Sequence, residues 1–234
     1  MKDKNLRKKW AYPLGIFVFI MAIVGIIFSL FFITKGIIKA TDKSDITKKN
    51  YEKMILPLVM NDPSTFDDVS KADMQQLIDS SIWSILIEGI DTGKYKIVDN
   101  RIVLPATDVE KTFVSLYGDS VKPKHQTIAP GSYEFEYDST AKAYKIPITG
   151  VDPIYTPKII DVDKKKNSVI LTVAYISGRD TIMDENGNFI EPPPSKYVKI
   201  TLRKSPKSDS DFYISSLQDT DPSFSDSIVE EKKK

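Results

Sequence analysis

Cysteine is absent from all 234 residues. That absence excludes a disulfide framework, thiolate metal sites, a lipid-modified cysteine and a cysteine nucleophile together. Histidine is almost absent, since His125 is the only one. It lies in the polar run Lys122-Pro123-Lys124-His125-Gln126, which supplies neither an orienting carboxylate nor a nucleophile, so it reads as a solvated loop residue. Glycine-rich phosphate loops are missing, because neither G-x-G-x-x-G nor G-x-x-x-x-G-K-[ST] occurs. The run Asp184-Glu185-Asn186-Gly187-Asn188 places oxygen-bearing side chains around a glycine, as a calcium loop does. With Gly187 in the sixth place, however, Ile182 and Pro193 fall where the two obligatory acidic ligands belong. It reads as a hairpin turn. Asp161 and Asp163 flank a strand end and form no metal cage. No catalytic, cofactor-binding or metal-ligating residue is therefore expected, no cofactor is implied, and the chain reads as non-enzymatic.

Charge is missing from one long stretch. Between Lys9 and Lys35 there is no charged side chain, and Ala11 to Ile33 is almost wholly apolar. At about 1.5 Å per residue such a helix reaches roughly 35 Å, enough to cross a hydrocarbon core about 30 Å thick. Residues 11–33 are thus expected to be a transmembrane helix with the lipid bilayer as partner. The basic tail, residues 1–10, abuts it as the n-region of a signal anchor does, with Trp10 and Tyr12 as interfacial aromatics. The run is too long for a signal-peptide core and no A-x-A pattern follows it, so the anchor is expected to be retained. Lysines also follow the span, from Lys35 to Lys53, so charge counting alone leaves both orientations open. The dense block at the first turn favours a cytoplasmic N-terminus and an extracytoplasmic domain, that is, a single-pass protein of the cell membrane.

Residues 1 to 40 hold seven Lys or Arg against one Asp, leaving 26 basic and 31 acidic residues in the remainder. A mildly acidic domain of that kind is not expected to bind nucleic acid. Residues 34–53 are polar and lysine-rich and read as a stalk. Residues 54–218 read as one α+β domain, and 219–234, poor in apolar residues, as a disordered tail.

Within the domain, Met54 to Met60 surround Pro57 and are expected to pack as its first element. Met74, Leu77, Ile78, Ile82, Ile85 and Leu86 recur at helical spacing behind a cap at Ser70 and before Gly89, with Trp83 beside the stripe. Tyr95 to Val98 and Arg101 to Leu104 predict a hairpin through Asp99-Asn100. Thr107 and Glu110 suggest a capping box for a helix stopped by Gly118. From Tyr133 the period changes to two, and strands are expected at 133–137, 143–148, 158–162, 169–176, 197–203 and 212–217. Val169 to Ile176 is apolar or small at nearly every position, as in a central strand. Pro192 to Pro194 reads as a stiff connection.

Ser80-Ser-Ile-Trp83, Val103-Leu-Pro-Ala-Thr-Asp-Val109, Phe135-Glu-Tyr-Asp138 followed by Tyr144-Lys-Ile-Pro147, and Tyr155-Thr-Pro157 resemble segments of an uncharacterised family of single-pass, membrane-anchored NTF2-like or cystatin-like extracytoplasmic proteins of Gram-positive bacteria. The resemblance implies a helix-backed, curved antiparallel sheet and carries over no functional residue. Two functions follow as expectations. One is an envelope interaction or assembly module with a protein partner or a second copy. The other is a ligand-binding or hydrolytic domain with a pocket on the concave sheet face.

Overall fold

In the computed structural model the chain divides into two units, residues 1–48 and 49–234. The structure describes residues 45–89, 93–131, 133–148, 150, 152–180, 182–205 and 212–220. The expected span over 11–33, the first part of the stalk and the tail from 221 lie outside them. Among the described residues no helix is long and apolar enough to cross a membrane.

The domain is α+β with every strand pairing antiparallel. Residues 45–59 are helical (α1), without a break where the stalk was expected to end. Pro57 lies inside α1 and forfeits the one intrahelical bond that an N–H there would make to the Lys53 carbonyl. Helix α2, Met74–Glu88, follows a short 3-10 turn. Its cap is Asp73, whose carboxylate accepts from the Gln75 N–H at 2.9 Å. Ser70, expected in that role, belongs instead to the turn capped by Asp68. Strands β1 (Lys96–Val98) and β2 (Arg101–Pro105) form the expected hairpin. Asp99 and Asn100 both take positive φ, 50° and 58°, as a two-residue turn twisted with its strands requires.

Helix α3, Ala106–Tyr117, starts at Pro105 without a side-chain cap. The expected capping box does not form, because Thr107 is already inside the helix and Glu110 bonds elsewhere. The helix stops at Gly118, φ 76°, where an added Cβ would stand 3.2 Å from the Tyr213 ring.

A single curved sheet was expected, whereas two separate four-stranded sheets form. The first has the order β1-β2-β4-β3, with β3 at Glu136–Asp138 and β4 at Ala143–Pro147. The second has the order β10-β9-β6-β5, from β5 (Tyr155–Lys164), β6 (Ser168–Ser177), β9 (Lys196–Lys204) and β10 (Phe212–Asp219). Strand β6 is internal and buried at seven of its ten positions, as its composition predicts. Tyr133 and Phe135 precede β3 and do not extend it, Phe135 pairing only with Ile128.

Each outer edge of the second sheet is met at one residue. The Glu52 carboxylate of α1 accepts the free Ile159 N–H of β5 at 2.8 Å, beside a bulge at Ile159/Asp161. Phe66 exchanges two backbone bonds with Leu217 of β10, at 2.7 and 2.9 Å. Both sheets and all three helices contribute to one apolar core, from Ile55 and Val59 through Ile82 and Phe113 to Tyr144, Val173 and Ile214.

Between β6 and β9 the chain leaves the sheet as a small hairpin, β7 (Ile182–Met183) with β8 (Phe189–Ile190). One leg is fixed by Gly178, whose N–H donates to the Ile154 carbonyl at 2.9 Å. A Cβ there would lie 2.4 Å from the Pro153 carbonyl oxygen. The other leg is the triple proline, after which the Ser195 N–H bonds the Tyr175 carbonyl. Gly178→Ala is expected to destabilise the chain by about 1–3 kcal/mol through overpacking against backbone. Gly150→Ala, whose methyl group meets nothing within 4 Å, is expected to be close to neutral. Denaturant midpoints of the two variants at unchanged slope check this contrast.

Candidate functional site

Helix α2 carries one carboxylate into the core. Asp79 is 6 % exposed, and a buried charge of this kind is tolerated only where donors replace its water. Two neutral groups supply them. Asn61, just past α1, donates from Nδ2 to Asp79 Oδ2 at 2.9 Å, and the Tyr133 hydroxyl lies 2.9 Å from both carboxylate oxygens. Tyr133 Oη also accepts from Trp83 Nε1 and Asn61 Nδ2, each at 2.9 Å, so the hydroxyl has two bonds in and one out. The Trp83 ring, one turn beyond Asp79 on α2, packs edge-on against Tyr133 and Phe135 at 5.3 and 5.6 Å.

Burial pushes the Asp79 pKa up from 3.8 to about 6, against the lowering effect of the Tyr133 and Asn61 hydrogen bonds. Burial also raises the Tyr133 phenol, with the Asp79 charge adding to it. Asp79 stands at the wall of a cleft of about 190 Å³ bounded by Pro57, Asn61, Gln76, Ile128 and Pro130. The Gln76 Nε2 donates to Ser64 at 3.1 Å, whereas its Oε1 is buried without a partner. No lining residue belongs to a strand, so this cleft opens between helices and the 128–130 segment. A wider cleft of about 410 Å³ beside α3 carries Lys53, Glu88 and Lys111. Its charges are solvated side chains, Lys111 sitting 3.2 Å from Asp108.

His125 is corrected by the structure. Its side chain is only 13 % exposed, not solvated, and both ring nitrogens are engaged. Nε2 lies 3.0 Å from Glu110 of α3 and Nδ1 lies 3.0 Å from the Tyr144 hydroxyl, while the ring stacks on Tyr137. The Gln126 N–H also reaches the Tyr144 oxygen. The phenol proton is thereby directed to Nδ1, and Nε2–H is left for Glu110. Sequence distance hid these partners, since Glu110 and Tyr144 stand fifteen and nineteen residues away. The row has the composition of a general base, but its phenol end, Tyr144, is fully buried and presents no hydroxyl to a substrate. It ties α3 and β4 to the 122–128 segment.

The run Asp184 to Asn188 forms the hairpin turn read from sequence. The Asp184 carboxylate accepts from Asn186 N, Asn188 N and Asn188 Nδ2 within its own hairpin, at 2.8 to 2.9 Å, which holds its pKa below the usual range. Asp161 and Asp163 sit on β5, the latter 3.6 Å from Lys165. Among the described residues no group of three or more His, Asp or Glu is placed to hold a metal ion.

Asp79 itself was missed by the sequence reading. Its signal is a carboxylate four residues before Trp83 at the border of an apolar stripe. Compared with protein families, with curated proteins and with solved structures, the chain finds no match.

Because folding raises the Asp79 pKa, the folded state keeps a proton between pH 3.8 and about 6 that the unfolded chain has lost. Its contribution to stability is therefore full below that window and lost as pH rises through it, by about 3 kcal/mol. The stability gap between the protein and Asp79→Asn should shrink by about that amount from pH 4 to pH 7. Denaturant titrations at the two pH values measure it, and a constant gap would mean that Asp79 titrates as an exposed carboxylate.

Proposed function

We propose that the chain is a membrane-tethered, non-enzymatic envelope protein whose domain serves as an interaction module, and that the β7–β8 hairpin is the element that meets a protein partner. The observation that carries this reading is the exposure of apolar side chains on both faces of that hairpin. Ile182 faces Ile190 across the ladder and Met183 faces Phe189, so successive pairs point to opposite sides. All four are exposed, Phe189 at 76 %. Two strands of two residues are too little to be stable alone, yet the pair is held out from the domain by the Gly178 and triple-proline legs. Asp180, Asp184, Glu185 and Glu191 accompany it. That acidic character favours a protein partner over an anionic bilayer surface.

In this proposal residues 11–33 are the anchor, the N-terminus is cytoplasmic and the domain extracytoplasmic. The resemblance to membrane-anchored NTF2-like or cystatin-like proteins is retained as part of this proposal, with two separate sheets in place of the single curved one it implies.

A photo-crosslinking residue placed at position 189 of the full-length chain is expected to form adducts with protein in intact membranes, and one at exposed Lys142 is not. Phe189→Asp should remove retained partners while leaving the unfolding midpoint within about 0.5 kcal/mol, as for an exposed position. Equal crosslinking from both positions would overturn the assignment of the hairpin. Protease added to intact protoplasts is expected to degrade the domain, and protection would reverse the proposed orientation.

A further inference from the structure

The buried carboxylate of Asp79 has only neutral partners. Its donors are a phenol and an amide, and neither Lys nor Arg lines the cleft beside it. At neutral pH the group is largely ionised, so a net negative charge stands 6 % exposed with no cation among the described residues to balance it. Buried charges in proteins are ordinarily paired. A second acceptor in the same cleft, Gln76 Oε1, is buried without any donor. The donors nearby are spent, because Asn61 Nδ2 already serves both Asp79 and Tyr133. The side of the cleft formed by Asp79 and Gln76 Oε1 therefore presents acceptors.

Pro57, Leu58, Pro63, Ile128 and Pro130 form the apolar part of the lining, and Asp73, Gln75 and Ser80 add a second carboxylate, an amide and a hydroxyl. A volume of about 190 Å³ corresponds to roughly six water molecules at about 30 Å³ each. The complement of such a site is a compact cation with several donors and a short hydrocarbon body. A guanidinium would need a planar pair of acceptors for its fork, whereas both Asp79 oxygens are already engaged by Tyr133. An ammonium, a point charge with three rotatable donors, fits one carboxylate and one amide oxygen.

We propose that the cleft between α1, α2 and the 128–130 segment binds a primary ammonium group on a short alkyl chain, with Asp79 as counter-ion, Gln76 Oε1 as second acceptor and the prolines as the apolar wall. The same chemistry is offered by a free alkylamine and by a lysine side chain of another protein. The site is separate from the β7–β8 hairpin and does not depend on that reading.

The test uses the full-length chain with Trp10→Phe, which leaves Trp83 as the single tryptophan, bonded through Tyr133 to the carboxylate. Trp83 fluorescence is titrated with n-butylamine, with 1-butanol, and with the blocked peptide acetyl-Gly-Lys-Gly-amide at pH 7.5. n-Butylamine is expected to saturate the signal and to bind at least about tenfold more tightly than 1-butanol, equivalent to about 1.4 kcal/mol. Saturation by the peptide as well assigns the site to a lysine side chain, and saturation by the amine alone assigns it to a free alkylamine. Asp79→Asn should abolish the preference for amine over alcohol, and Gln76→Leu should reduce it severalfold. Equal binding of amine and alcohol by the unaltered chain, or no saturable change with either amine ligand, would overturn the proposal even if the Asp79 variant did not fold.

Discussion

The hydroxyl of Tyr133 is the point on which the helical half of the domain closes. It accepts from the indole N–H of Trp83 and the amide of Asn61, and it donates its own O–H to Asp79. Residues from the end of α1, from α2 and from the approach to β3 are thereby joined at one atom. Leaving any buried member unmatched costs about 1–3 kcal/mol, so the three elements are fixed relative to one another more sharply than apolar contact alone would fix them. Because the donors of this group are directed at one another, Asp79 and Gln76 Oε1 face the cleft as acceptors. The same arrangement thus sets the packing and the polarity of the cleft.

How much could be read in advance divides along the range of the interactions. Features set by neighbours in sequence were legible: the Asp99-Asn100 turn, the stop at Gly118, the burial of Val169 to Ile176 and the loop nature of Asp184 to Asn188. Features that depend on distant partners were not. His125 reads as solvated until Glu110 and Tyr144 arrive from α3 and β4, and Asp79 reads as an ordinary helical carboxylate until Tyr133 arrives from 54 residues away. Caps were misplaced by a few residues for a related reason. Ser70 and Thr107 have the right side chains, but Asp68, Asp73 and Pro105 occupy the positions where the backbone actually turns. The division into two sheets was equally hidden, since alternation fixes which face of a strand is wet and not which strands share a ladder.

Exposed apolar side chains lie at the β7–β8 hairpin, where Phe189 is the most exposed, and also at Ile97 and Val98 of β1 and at Ile148. The cleft that holds Asp79 lies among the helices. The histidine that sequence composition brings to mind first serves neither, being enclosed between a helix and a strand.

Glu52 has a consequence beyond its own bond. A strand at the margin of a sheet offers a row of free amides and carbonyls that invites another chain to dock. On β5 the amide of Ile159 is taken by this carboxylate beside a bulge, and on β10 the outer groups of Leu217 are taken by Phe66. At those two points a further strand finds no free partner groups, which disfavours the edge-to-edge polymerisation that ends in insoluble fibres.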